Sequence, residues 1–215
     1  MKKLLFDLDG TLTDPKIGIT ECIRYAMKKM EKTCPQELTW CIGPPLQETF
    51  KNLLQTTEAE VVEQAVRFFR ERFSVQGMFE NSVYDGVTEM LEHLQEREFQ
   101  LYIATSKPKF FADQILEHFH LSKYFIEIFG SELNGVRTDK GELISYILEK
   151  TKGQPTEYLM IGDRKHDLIG AGKNSISAIG VLWGYGTEEE LSGFSHLSLQ
   201  PSPAQLTEFL MKSYC

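Results

Sequence analysis

A chain of 215 residues with 41% apolar side chains can bury a sizeable core, either as one large domain or as a core with a subdomain. Its net charge of -8 argues against sequence-independent binding to nucleic acid or anionic lipid. No run of eighteen apolar residues occurs and the first residues lead straight into a strand, so the expectation is a cytoplasmic protein without membrane contact, as a monomer or homodimer. Four cysteines, Cys22, Cys34, Cys41 and Cys215, have neither Cys-x-x-Cys spacing nor histidines at zinc-finger intervals, and read as reduced thiols.

The apolar run Leu4-Leu5-Phe6 predicts a buried parallel strand, and it ends at Asp7-Leu8-Asp9-Gly10-Thr11. In an open α/β sheet ligands sit at the carboxyl ends of strands, which puts Asp7 and Asp9 at the lip of a crevice. Two carboxylates one residue apart repel and need a cation, a shared proton or wide solvation. Gly10 allows a sharp turn and Thr11 adds a hydroxyl that can brace it. The bland alternatives are a solvated loop and a calcium loop. The second would need a bidentate Glu at its twelfth position, where this chain has Gly18.

From Asp14 the pattern turns helical: Asp14 is a candidate cap, Pro15 a first helical residue, and Ile19, Ile23, Ala26, Met27 and Met30 form a stripe. A break at residues 33–36 and the turn Gly43-Pro44-Pro45 precede a second helix over 46–55. A third is expected over 57–73, with Val61, Val62, Ala65, Phe68, Phe69 and Phe73 inward. Residues 15–80 thus read as an inserted all-helical subdomain. They hold nine basic and nine acidic side chains, so the whole negative excess falls on the remainder. Most of these charges are expected to be solvated helix surface.

After Gly86 helices and strands alternate. Strands are expected at 101–104, 126–130, 158–162 and 178–182, and helices over 87–94, 108–119, 140–150 and 167–174. A short helix near Thr187, a strand at 197–199 and a helix over 203–212 close the chain. The fold class is α/β: a doubly wound parallel sheet formed by residues 1–14 and 81–215, with residues 15–80 inserted as a helical cap.

Polar residues recur at predicted strand ends: Asp7 and Asp9 after the first, Thr105 after 101–104, Asp163 after 158–162. Lys140 enters from the start of a helix. A parallel sheet gathers such ends along one edge. Thr105 could merely cap the next helix, and Lys140 could be a surface lysine. A cation in a first helical turn opposes the helix dipole, however, which suggests a function for it.

In this order and spacing, Asp7-Leu8-Asp9-Gly10-Thr11, Ile103-Ala104-Thr105-Ser106-Lys107, Lys140 and Ile161-Gly162-Asp163-Arg164-Lys165-His166-Asp167 make the chain similar throughout to the haloacid dehalogenase superfamily of phosphohydrolases. It most resembles the phosphoglycolate phosphatase and 5'-nucleotidase-like members with a helical cap. The resemblance implies a Rossmann-like core and hydrolysis of small phosphate esters. It also implies an aspartyl-phosphate intermediate on Asp7, with Asp9 as acid and base. Thr105 and Lys140 would hold the transferring oxygens. Mg2+ would be held by Asp7, the carbonyl of Asp9 and Asp163, with Asp167 helping directly or through water. Gly10, Thr11, Ser106 and Lys107 are assigned to substrate binding. Among Lys107, Arg164, Lys165 and His166, about one is expected to touch substrate or orient a carboxylate.

Trp183-Gly184-Tyr185-Gly186 suits either a loop near the same edge or a packed surface turn. Where relatives commonly have Pro-Gly at the return into the core, this chain has Tyr84-Asp85-Gly86. The alternatives are a phosphomutase of the same superfamily and a phospho-accepting receiver module. Receivers lack a helical insert and place their acid pair before the accepting Asp. A dehalogenase has no need of Asp9.

Overall fold

A computed structural model describes residues 2–195 and 197–214; Cys215, one of the four cysteines considered above, lies outside them. Among the described residues Cys22, Cys34 and Cys41 form no disulfide. The chain divides into two compact units, one from Pro15 to Ser82 and the other made of the chain up to Asp14 and from Val83 onward. Among the described residues no helix is long and apolar enough to cross a membrane.

In the larger unit, strands β1 (Lys3–Phe6), β4 (Gln100–Pro108), β5 (Glu127–Ser131), β6 (Tyr158–Gly162), β7 (Ser177–Val181) and β8 (Ser198–Gln200) form one six-stranded sheet in the order β5-β4-β1-β6-β7-β8. The pairings are parallel. After β1 the chain builds β4 and β5 to one side and then β6, β7 and β8 to the other. The sheet therefore reverses direction at β1, where open α/β sheets leave a crevice at the strands' carboxyl ends. The two-residue strands β2 (Thr13–Asp14) and β3 (Ser82–Val83) pair separately.

Both faces of the sheet are buried, which is why its strands read as continuous apolar runs. On one face Leu5, Tyr102, Ala104, Tyr158 and Met160 pack against Leu143, Ile144 and Ile147 of α6 (Lys140–Thr151) and Leu168 and Ala171 of α7 (Lys165–Lys173). The alternate residues Leu4, Phe6, Leu101, Ile103, Leu159 and Ile161 are buried as well. Around them the chain forms α4 (Val87–Glu96), α5 (Lys109–His118), α8 (Glu188–Ser192) and α9 (Pro203–Tyr214), with α4 packed on α9 and α5 on β4 and β5. Helix α7 starts two residues before the expected 167. Its third residue, Asp167, accepts a hydrogen bond from the Arg164 N–H at 3.1 Å and so closes the first turn from inside.

The smaller unit holds α1 (Lys16–Lys29), α2 (Leu46–Leu54) and α3 (Ala59–Phe73). Asp14 does not cap α1: Pro15 occupies the cap position without a side-chain bond, and the Asp14 carboxylate accepts the Tyr185 hydroxyl instead. In α3 the buried stripe is Val62, Ala65, Val66, Phe69 and Phe73, while Val61 and Phe68 are half-buried. The inward face is thus turned slightly from the expected one.

The end of α3 is fixed by Arg72, whose two guanidinium nitrogens donate to Glu80 at 2.6 and 2.9 Å, with Gln76 donating to the same carboxylate at 2.7 Å. Those bonds hold the Glu80 carboxyl below its ordinary value of 4.5. Because the folded value is depressed, the stabilisation is present above the unfolded value and is lost as pH falls through the folded one. Glu80→Gln is expected to cost about 1–2 kcal/mol at neutral pH. In urea melts the gap to wild type should close in acid, and a gap of constant size would contradict the ionic origin.

Candidate active site

Asp7 leaves β1 with its N–H bonded to the Ile161 carbonyl at 2.9 Å, so its side chain starts from the centre of the sheet's carboxyl edge. The turn behind it is closed by Gly10 N–H to the Thr13 carbonyl at 2.8 Å and Leu12 N–H to the Leu8 carbonyl at 2.9 Å. Gly10 has φ +85°, and a Cβ there would meet Asp163 Oδ2 at 2.2 Å. Backbone conformation and the approach of Asp163 both demand glycine. The buried Thr11 hydroxyl points to Asp163 Oδ1 at 3.4 Å, and the Thr11 carbonyl accepts the Trp183 indole N–H at 2.9 Å.

Thr105 is buried near the end of β4 and its hydroxyl accepts the Lys107 N–H at 3.2 Å. It braces the end of β4, where the register with β5 shifts between Thr105 and Pro108, and does not cap α5, whose cap position is Pro108. The Ser106 carbonyl accepts the Ser131 hydroxyl at 2.8 Å. Lys107 turns back so that its Nζ lies 2.8 Å from Asp9 Oδ2.

Lys140 opens α6, where Asp139 caps the helix by accepting the Glu142 N–H at 3.0 Å. The lysine is almost completely buried. Its Nζ donates to the Ala104 carbonyl at 2.7 Å and lies 3.0 Å from Asp7 Oδ1 and 2.8 Å from Asp167 Oδ1. Asp163 has no exposed surface and accepts the Tyr185 N–H at 2.8 Å on Oδ2.

Four carboxylates, Asp7, Asp9, Asp163 and Asp167, thus face two ammonium groups, Lys107 and Lys140, with little water. Burial pushes the Asp9 carboxyl up, with Lys107 pulling partly against it. Burial, then Asp167 and Asp7, raise Asp163 well above the ordinary range. Burial brings Asp167 to about 6 despite Lys140. For Lys140 burial alone would lower the value, but Asp167 and Asp7 outweigh it and the net shift is upward.

The donor set fits a small divalent cation. Asp7, Asp163 and Asp167 each offer an oxygen, all within 4.8 Å of one another. Asp7 Oδ1 and Asp167 Oδ1 lie at ion-pair distance from Lys140, and among the described residues neither they nor Asp9 Oδ1 meet a well-aligned hydrogen-bond donor. Buried carboxylate oxygens left this way are costly, and a 2+ charge would offset the two uncompensated anions. A set made only of oxygens suits Mg2+ among common ions.

The structure therefore gathers Asp7, Asp9, Gly10, Thr11, Thr105, Lys107, Lys140, Asp163 and Asp167 at one edge of one sheet. Of the four flanking cations, Lys107 reaches a site carboxylate. Arg164 pairs instead with Glu190 at 3.0 Å, and Lys165 is exposed. His166 is half-buried and its value is lowered by that burial and then by Arg164 and Lys165. Sequence reasoning offered residues 183–186 as a loop near this edge, beside a packed surface turn, but not the contacts of Tyr185 with Asp163 and Asp14. The signal available was an aromatic residue between two glycines after the last long strand.

The model of the haloacid dehalogenase-like hydrolases matches residues 4–181. A 5'-nucleotidase of Pseudomonas aeruginosa is 48% identical over 191 residues, spanning 87% of this chain and 86% of that protein. The tyrosine-protein kinase PtkA of Mycobacterium tuberculosis is 35% identical over 85% of this chain and 62% of its own length. A phosphoglycolate phosphatase of Vibrio vulnificus is 26% identical over 99% of the chain and 97% of that protein. Among solved structures, that of a predicted phosphatase from Clostridium acetobutylicum superposes with a TM-score of 0.93 at 39% identity, over 98% of each chain. With its parallel sheet and buried aspartates, the chain belongs to the haloacid dehalogenase-like hydrolases, and it is an enzyme of that class.

Proposed function

We propose that the protein is a Mg2+-dependent phosphatase of small phosphate monoesters, of the nucleoside 5'-monophosphate or phosphoglycolate type, acting through an aspartyl phosphate on Asp7. The observation that carries this reading is the buried cluster of Asp7, Asp163 and Asp167 at the sheet's reversal point, with Lys140 paired to Asp7 and Asp167. Mg2+ would be held by Asp7, Asp163, the Asp9 carbonyl and Asp167, and would supply positive charge to the phosphoryl oxygens.

Asp7 forms a bond to phosphorus as the bond from phosphorus to the ester oxygen breaks. Asp9, whose carboxyl is raised by burial, gives its proton to the departing oxygen. Asp9 then takes a proton from a water whose oxygen attacks phosphorus, releasing inorganic phosphate and restoring the Asp7 carboxylate. The Lys140 ammonium and the Thr105 hydroxyl supply positive charge and a donor for the transferring group. Lys107 holds Asp9 in place. The core carries this chemistry, and the helical unit of residues 15–80 is assigned to substrate selectivity as a cap.

Released phosphate, measured over a panel of esters with Mg2+ and after chelation, tests the reading. Turnover that survives chelation, or isomerisation of a sugar phosphate without phosphate release, would overturn it. Asp9→Asn provides a sharper check on the acid role. It should slow alkyl phosphates by roughly a hundredfold while sparing the first step with p-nitrophenyl phosphate, whose leaving group departs without a proton. Equal losses in the burst phase on both esters would remove Asp9 from that role.

A further inference from the structure

Asp163 accepts two hydrogen bonds among the described residues: the distant Thr11 hydroxyl at 3.4 Å and the Tyr185 N–H at 2.8 Å. The second comes from a loop that has no side chains where it touches the site. A Cβ on Gly184 would lie 2.2 Å from the Gly10 carbonyl oxygen and 2.5 Å from Asp163 Cβ, and one on Gly186 would lie 1.8 Å from the Asp163 carbonyl oxygen. The loop backbone is therefore pressed onto Asp163, and the two aromatic side chains beside the glycines anchor it. Trp183 donates its indole N–H to the Thr11 carbonyl at 2.9 Å. Tyr185 donates its hydroxyl to Asp14.

Asp14 is the last residue before the chain leaves the core unit, and Tyr84 is the second after it returns. Tyr84 is itself tied to the turn that carries Gly10 and Thr11, through its N–H to the Leu12 carbonyl at 3.1 Å. Tyr185 thus has its backbone on the most buried carboxylate of the site and its hydroxyl on the last core residue before the insertion.

We propose that Tyr185 is a positioning residue for Asp163: its hydroxyl, held by Asp14, sets the 183–186 loop so that its N–H orients Asp163 Oδ2 and leaves the other oxygen for a divalent cation. This deepens the Proposed function and rests on its metal site. Residues that orient a ligand from behind typically change metal affinity by about tenfold or more when removed. Tyr185→Phe removes one hydroxyl, changes no charge at neutral pH and leaves the N–H in place. Its effect on cation binding must therefore pass through loop position.

The test uses full-length protein freed of metal, titrated with Mn2+ while free ion is read by electron paramagnetic resonance, with Mg2+ as competitor. Wild type, Asp163→Asn, Tyr185→Phe, Asp14→Asn and the Tyr185→Phe/Asp14→Asn double variant are compared. Tyr185→Phe is expected to raise the Mn2+ Kd on the order of tenfold. Its metal-free Tm should stay within about 2 °C of wild type, and kcat should return towards wild type at saturating Mg2+. The double variant should lose clearly less than the product of the two single losses, because both act through one contact.

An unchanged Mn2+ Kd in Tyr185→Phe, with binding lost in Asp163→Asn, overturns this inference alone. So does a fall in metal-free Tm large enough to account for the loss, or multiplicative losses in the double variant. Wild type that binds no Mn2+, or an Asp163→Asn variant that binds it as wild type does, overturns the metal site and this inference with it.

Discussion

Asp7→Asn is expected to reduce phosphate release by roughly a thousandfold or more, since an amide cannot form the acyl phosphate and no other carboxylate is placed to replace it. Asp9 is held by Lys107 at 2.8 Å, and Asp167 by Lys140 at 2.8 Å and the Arg164 N–H at 3.1 Å. The same substitution should raise the Tm of the metal-free protein. Asp7 and Asp167 share one ammonium, and Asp163 has an oxygen within 4.8 Å of theirs, so removing one negative charge relieves more repulsion than it forfeits attraction to Lys140. Added Mg2+ should then stabilise the variant less than it stabilises wild type. Rapid-quench assays with labelled ester and thermal melts with and without Mg2+ provide the measurements. Retained turnover would exclude Asp7 as the nucleophile, and a lowered metal-free Tm would show that its pairing with Lys140 outweighs the crowding.

The parts of the fold legible in the sequence are those where one local rule decides. β6 coincides with the expected 158–162 because a strand covered on both faces is an uninterrupted apolar run that stops at its first charge, Asp163. The same reasoning located the end of β1, and therefore Asp7 and Asp9, but β4 runs on to Pro108 past the expected 104, so Thr105 lies within the strand and not after it. Helix starts were less legible. Asp14 has the chemistry of a cap, but its carboxylate is taken by a tyrosine 171 positions away, which no local pattern records. In α3 the stripe was displaced because Val61, Val66 and Phe68 are all apolar and only packing decides which turn inward.

In the site, sequence spacing could bring the residues to one edge but could not pair them. Lys107, Arg164, Lys165 and His166 are indistinguishable as flanking groups. Lys107 meets Asp9 because β4 continues to Pro108 beside β5 with a shift of register after Thr105, while Arg164 is drawn off by Glu190 on α8. The 183–186 loop illustrates the same limit. Its glycines suited a loop near the edge or a packed surface turn, and what they approach, Gly10 and Asp163, depends on the register of β6 with β7.

Lys140→Ala is expected to lower kcat/KM for every ester by a similar factor, on the order of a hundredfold, because the ammonium acts on the phosphoryl group common to all of them. It should also destabilise the metal-free protein by about 3–5 kcal/mol, the usual cost of leaving buried charges without their partner. Lys140 is 4% exposed and meets Asp7, Asp167 and the Ala104 carbonyl, so little solvent screening reduces that figure. The pH dependence has a definite sign. In wild type the folded lysine value is raised, so its contribution is complete below the unfolded lysine value and is lost only as pH rises through the folded one. Neutral pH lies well inside the stable range. In the variant the deficit should shrink as pH falls from about 8 towards 5. Asp163 and Asp167 have raised folded values, Asp167 at about 6 with the lysine in place, so protonation relieves the folded state before the unfolded one. Mg2+ should recover part of the lost stability at pH 8. Lys140→Met, which keeps most of the side-chain volume, separates charge from cavity: it should show the same pH trend with a smaller total loss. The measurements are urea melts at several pH values and steady-state rates over the ester panel. A deficit that grows on acidification, or a change of preference among esters in Lys140→Ala, would contradict a role confined to the carboxylates and the phosphoryl group.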